Sequence, residues 1–328
     1  MARLRRARAY VFAIQWQPAL AEAEKENGMR FSFWPGAAQP WKDVLELALH
    51  VEATGWDGIW YADHFVPNAQ NISGPCNEAW TTIAALAASV PRVRIGPLVS
   101  GNTYRHPAVL AKMAATVDQI SGGRLVLGLG SAWQENEHEA YGIPFYTTGD
   151  RLRRLEEACQ VLKSLFSQDQ TNFDGKYYQL KNAPLDPKPV QQPLPLLIGG
   201  GGEKVTLRIA ARYADEWNTW GDVATLKHKM GVLDRHCAEV GRDPGQIRRS
   251  AVVMLYLSDD AEFIEKIRAR AGGPPMLAGN PDEVRKVVKS YADAGVDELV
   301  IPDFNLGSRE RKLPILDRFI REVAPVVR

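Results

Sequence analysis

From residue 29 onward, short apolar runs alternate with amphipathic stretches of helical period, and this alternation constrains the fold more than any single motif. Met29 to Trp34, with Phe31 and Phe33 on one face, reads as the first strand. Trp41 to Thr54 reads as a helix: Val44, Ala48 and Val51 share a face, Pro40 sits near its start and Gly55 stops it. Further strands are expected at 58–63, 93–99, 125–129, 194–198, 215–218, 250–257 and 298–301. Helices are expected at 78–89, from Pro107, along the stripe Leu152, Leu155, Cys159, Leu162, Phe166, and at 203–213, 223–240 and 313–326. Another is capped by Asn280, carries Pro281 at its first position and ends at Gly295. Thr171 to Pro193 breaks the rhythm with four prolines around Tyr177-Tyr178-Gln179-Leu180, an insertion with a short hairpin. Eight strands alternating with helices predict an α/β fold, a (β/α)8 TIM barrel with loop insertions; an open doubly wound sheet is the alternative.

A barrel carries its chemistry on the segments that follow its strands. Those segments here are Asp63-His64-Phe65, Ser100 to His106, Gly130 to His138, Gly199 to Gly202, and Trp217 to Trp220, and they hold three of the six histidines. An acid–histidine pair can hold a charge, orient a ring or move a proton near neutrality. The tetraglycine 199–202 lies between a strand and a helix, where close-approaching backbone N–H groups and the helix dipole favour an anion; it reads as a phosphate cradle. Gly128-Leu129-Gly130 lacks the third glycine of a dinucleotide fingerprint, because Trp133 occupies that place. No Lys-Ser/Thr pair follows the tetraglycine, which argues against nucleoside triphosphate hydrolysis. Glu135, Glu137 and Glu139 with His138 read as a solvated helix start rather than a metal set, and no metal is expected. Cys76 reads as a free thiol, and His50, His228 and His236 as structural or surface residues.

Net charge is +1, so electrostatics give no case for nucleic acid or an anionic membrane. Three cysteines, Cys76, Cys159 and Cys237, are too far apart for a metal motif or a disulfide framework, which suits a reducing cytoplasm. No apolar run reaches membrane-spanning length. The basic start and the short apolar stretch Tyr10 to Ile14 do not make a signal segment, so residues 1–28 are expected to be an extension and 29–328 one barrel domain; 10–14 is still able to form a strand.

Several stretches together carry a family resemblance: Glu52 to Asp57, Ala62-Asp63-His64-Phe65, Arg94 to Pro107, Ser121 to Gly142, Ile198 to Gly202, Ala211 to Trp217, and Ala294 to Glu298. They resemble the bacterial luciferase-like superfamily, and within it the branch that uses the deazaflavin coenzyme F420. The resemblance runs from Met29 nearly to the C-terminus. It implies a ring bound at the C-terminal mouth of the barrel and hydride transfer between the deazaflavin and an unidentified small organic substrate. It also implies a homodimer and places a non-prolyl cis peptide within Val99-Ser100-Gly101. His64 is then the catalytic acid/base. The expected coenzyme contacts are Asp63, Val99, Ser100, Gly101, Asn102, Gly130, Ser131, Gln134, His138, Tyr141, Gly199, Gly200, Gly201 and Gly202. The alternative is an FMN-dependent two-component monooxygenase supplied by a reductase; a non-catalytic flavin-binding barrel is a third reading. In sugar-phosphate dehydrogenases of the branch, a Glu follows the glycine after the fourth strand and an aromatic lies four residues beyond the active His. Here those places hold Ser131 and Asn68, a departure that argues against sugar-phosphate oxidation.

Overall fold

The computed structural model describes residues 28–270 and 272–328. The expected extension, with its apolar stretch at 10–14, lies outside the described residues except for Gly28. In chain order the elements are β1 (Arg30–Trp34), α1 (Trp41–Ala53), β2 (Gly58–Tyr61), α2 (Ala79–Ser89), β3 (Arg94–Pro97), β4 (Ser100–Gly101), α3 (Pro107–Ser121), β5 (Leu127–Gly130), α4 (Glu135–Tyr141) and α5 (Thr148–Ser167). There follow β6 (Gln170–Asp174), β7 (Gln179–Pro184), β8 (Leu196–Gly199), α6 (Thr206–Tyr213), β9 (Glu216–Trp220), α7 (Val223–Glu239), β10 (Arg248–Val252) and β11 (Met254–Leu257). The chain ends with α8 (Ala261–Arg268), β12 (Met276–Gly279), α9 (Pro281–Asp293), β13 (Glu298–Pro302) and α10 (Arg309–Arg318), the last continuing in a π-helical turn and a 3-10 turn.

A nine-stranded sheet runs in the order β3-β2-β1-β13-β10-β9-β8-β5-β4, with every pair parallel. β3 and β4 are two halves of one stave, and an Ile95–Leu125 bridge joins that stave to the segment entering β5. The ring therefore closes as eight staves, the TIM barrel that the alternation predicts. Side-chain alternation sorts each stave between two cores. Phe31, Phe33, Ile59, Ile95, Leu299 and Ile301 face the helices. Trp34, Trp60, Leu98, Val126, Leu197, Val252 and Val300 fill the lumen. Room for the Trp60 ring comes from Gly96, where a Cβ would lie 3.1 Å from the indole and 2.1 Å from the Val126 carbonyl oxygen.

Some boundaries differ from the sequence reading. The expected strand 250–257 is broken at Val253: β10 is a barrel stave, whereas β11 pairs outside it with β12, a strand the pattern did not predict. The helix α8 was likewise unpredicted. The expected hairpin is β6 against β7, antiparallel. The Asn280 cap is a full capping box with Glu283, which satisfies the first amides of α9. Among the described residues no helix is long and apolar enough to cross a membrane.

The barrel floor is ionic. Arg94 of β3 pairs with Glu216 of β9 and, at 3.2 Å, with Glu298 of β13, and Trp60 Nε1 donates to Glu298 at 2.8 Å. Both glutamates are buried, so the Arg94 guanidinium bridges two carboxylates across the lumen, and the Arg30 and Arg248 charges also act on Glu216. Arg94→Met should cost about 3–5 kcal/mol, the scale for stranding buried charge. Urea unfolding would measure it, and an unchanged midpoint would contradict this role for the cluster.

Candidate active site

A cavity of 540 Å³ opens at the carboxyl ends of the staves. Asp63 and His64 line it after β2, Val99 and Gly101 from the third stave, Gly130 and Ser131 after β5, and Gly199 and Gly200 at the end of β8. Asn218, Thr219 and Trp220 of β9 complete one wall; Trp34, Trp133 and Phe304 stand at the rim.

Val99 shapes the inner face of this cavity. The peptide between Leu98 and Val99 is cis, one bond before the expected span of Val99 to Gly101. The Val99 side chain fills the space next to two glycines: a Cβ on Gly130 would lie 2.7 Å from a Val99 methyl, and one on Gly199 2.8 Å. Glycine at both places is therefore a packing requirement of the neighbouring stave.

His64 and Asp63 part company at the end of β2. The carboxylate of Asp63 is fully buried and held by Arg105, at 2.6 Å to one oxygen and 3.2 Å to the other. Burial pushes the Asp63 carboxyl above its ordinary value, against the pull of Arg105 and a hydrogen bond from Ser100. Arg105 also meets Glu78, the N-cap of α2, at 2.7 Å. His64 turns the other way: its Nδ1 lies 2.8 Å from an oxygen of Glu137.

Glu137 corrects the sequence reading. The expected solvated helix start is α4, and of its three acids Glu137 is wholly buried. It accepts from His64, from the Phe65 amide at 2.7 Å and from the Tyr104 hydroxyl. Burial alone would raise its pKa; the hydrogen bonds from His64, Phe65 and Tyr104 offset this and hold the carboxyl below the ordinary glutamate value. Burial and the Glu137 charge push the Tyr104 hydroxyl well up, so it stays a donor. An ionised carboxylate only accepts, so Nδ1 of His64 carries a proton and Nε2 is left for the cavity that the ring lines. The sequence signal was the spacing of Gln134, Glu137 and His138, one helical face, all three buried.

The tetraglycine also needs a correction. Gly200 is unavailable as an anion donor, because its amide donates to the Asn218 carbonyl at 2.9 Å as the β8–β9 ladder continues. From Gly201 to Thr206 the backbone amides have no partner among the described residues, and they precede α6. The free amides thus begin one residue later than the tetraglycine, with Lys229 beside them, Nζ 2.7 Å from the Gly201 carbonyl oxygen.

The remaining expected contacts stand behind the cavity wall. Ser100 accepts from Trp80 Nε1 at 2.8 Å. Buried Asn102 donates to the Tyr178 hydroxyl, and buried Gln134 to the Val66 carbonyl. Buried His138 is bonded to Thr103 and to the Gln134 carbonyl, both at 2.7 Å. Tyr141 is exposed and stacks on Phe65. Gly201 and Gly202 lie outside the cavity lining, among the free amides. Cys76 is half-buried near Glu137 and Asp63, and desolvation first, then those charges, push its thiol to about 11, which keeps it un-ionised at neutral pH.

The Glu137 geometry has a pH signature. Because the folded carboxyl titrates lower than an unfolded glutamate, near 4.3, its stabilisation is complete above about pH 4.3 and is lost as pH falls through the folded value. Glu137→Gln should therefore destabilise at neutral pH by about 1–3 kcal/mol. The deficit relative to the unmodified protein should shrink below about pH 4.3. Urea unfolding of both proteins across that range checks it; a deficit that does not change with pH would contradict the ionised, three-donor carboxylate.

The profile of the luciferase-like monooxygenase family matches residues 28–274. The F420-dependent glucose-6-phosphate dehydrogenase of Kineococcus radiotolerans is 30% identical over 320 residues, covering 87% of this chain and 93% of that protein. The enzyme of the same name from Microbacterium testaceum is 32% identical over 296 residues, 80% of this chain and 87% of that one. An F420-dependent secondary alcohol dehydrogenase, solved in complex with an F420-acetone adduct, superposes with a TM-score of 0.80 at 23% identity, over 92% of this chain and 99% of that one. That last likeness speaks for the fold, and the sequence relatives speak for descent. The chain belongs to the luciferase-like monooxygenase family, on the branch of F420-dependent oxidoreductases that its motifs resemble.

Proposed function

We propose that this protein is a coenzyme F420-dependent oxidoreductase that transfers a hydride between the deazaflavin and a small organic substrate. The observation that carries the reading is a single cavity with an amide-lined anion cradle beside one wall and the Glu137-held His64 on another. The groups fit the coenzyme: the free amides of Gly201 to Thr206, with Lys229 adjacent, suit its phosphate, and Val99, Gly130 and Gly199 leave a smooth wall for a planar ring. Bound there, the coenzyme supplies the hydride chemistry.

The chain's own part is positioning and proton movement. His64 takes a proton at Nε2 from the substrate's reacting group, or returns it in the reverse direction. Glu137 fixes the ring and stabilises the cation that forms, as a buried carboxylate does for a base it orients. Asp63, neutralised by Arg105, closes the cavity beside His64 without competing for that proton.

Fluorescence titration with oxidised F420 and with FMN tests the cofactor. F420 should bind tighter, and Gly201→Val should weaken it at least tenfold, about 1.4 kcal/mol, because a side chain there crowds Thr219 and Lys229 at the cradle. Tighter FMN binding, or unchanged F420 affinity in folded Gly201→Val, would overturn the assignment. For any substrate turned over, His64→Ala should lower kcat by about 10²–10⁴-fold with little change in coenzyme Kd. Wild-type kcat and pH profile in that variant would remove His64 from the mechanism.

A further inference from the structure

Among the described residues the cavity lining holds no permanent cation: it includes no lysine and no arginine, and its ionisable members are Asp63, His64 and Tyr104. The cations nearby are engaged elsewhere. Arg105 is held between Asp63 and Glu78, and Lys229 sits at the Gly201 carbonyl and Glu203. Arg94 is paired with two glutamates on the barrel floor. An anion entering beside His64 would lose its hydration and gain no free counter-charge, because the one guanidinium near the wall, Arg105, is already committed to Asp63 and Glu78, and burial of charge without a partner is strongly unfavourable.

The rim has the opposite character. Trp133, Phe304 and Trp220 are 60%, 53% and 38% exposed, large apolar surfaces left open where a chain ordinarily covers them. Phe304 and Trp220 form one aromatic wall with Trp34, which packs on Phe304 with ring centroids at 5.3 Å and on Trp220 at 6.3 Å; Trp133 instead meets the His64 ring edge-on at 5.5 Å. Nothing charged interrupts this wall, and the polar groups between it and the floor, Asn68, Ser131, Asn218 and Thr219, are all neutral.

Resting on the oxidoreductase reading above, we infer that the substrate is an uncharged organic molecule whose hydrocarbon body packs among Trp133, Trp220 and Phe304, and is neither a sugar phosphate nor another anion. The names of the sequence relatives point to glucose 6-phosphate; the cavity of this chain does not match that chemistry. Aromatic rings bind an apolar body and His64 handles its one polar reacting group.

Calorimetry on the F420-loaded protein with cyclohexanone, glucose 6-phosphate and glucose tests the inference. Cyclohexanone should bind saturably and more tightly than glucose 6-phosphate, and the phosphate should add nothing over glucose. Phe304→Ala should weaken cyclohexanone roughly tenfold and leave the F420 Kd within about twofold; Trp133→Phe serves as a second variant if the first does not fold. Glucose 6-phosphate binding as tightly as cyclohexanone, or no binding of either, overturns the inference while coenzyme binding stands. Failure of F420 itself to bind overturns the reading beneath it, and the inference with it.

Discussion

The site depends on one carboxylate with no access to water. Glu137 takes hydrogen bonds from His64, from the Phe65 amide and from Tyr104, which come from the loop after β2 and the loop after β4. A buried charge is kept only where its lone pairs are matched, so these groups hold one another in place. Much of the mouth follows from it. The docking of α4 sets Tyr141 against Phe65, and the loop entering α4 sets Trp133 against His64. The His64 tautomer is fixed by the same contact, and with it the nitrogen that faces the cavity.

Charge is distributed in layers along the barrel axis. The floor crosses the lumen with Arg94, Glu216 and Glu298; above it lie Trp60, Leu98, Val126 and Val300; the mouth has one paired acid, one oriented histidine and aromatic rings. The run of free backbone amides is set off to the side, in the loop leading into α6. On the proposed reading, separating those amides from a cavity lined without lysine or arginine would let one ligand be held by its phosphate while chemistry proceeds in a space that favours neutral groups.

The barrel was legible because it is written in local patterns: period-2 apolar runs, helical stripes and the Asn280 cap all appear where the alternation puts them. The glycine run between a strand and a helix was legible because it is local, but that the β8–β9 ladder claims the Gly200 amide and leaves those from Gly201 free is a tertiary fact. What failed depended on contacts distant in sequence. The run is apolar without a break from Ala251 to Leu255, so nothing local marks Val253 as the place where the chain leaves the barrel. Among the acids of α4, sequence marks Glu137 only by the face it shares with Gln134 and His138, and packing against Tyr104 and the β2 loop is what makes that face the buried one. Asp63 and His64 looked like a pair because they are adjacent, yet neighbours in extended backbone point to opposite sides and find different partners.

The most direct measurement is a crystal structure of the protein soaked with F420. The account predicts the phosphate on the amides between Gly201 and Thr206, the ring across Val99, and His64 still joined to Glu137 through Nδ1 with Nε2 turned to the space above the ring. A phosphate bound elsewhere, or a His64 ring that leaves Glu137 to contact the coenzyme through Nδ1, would contradict it.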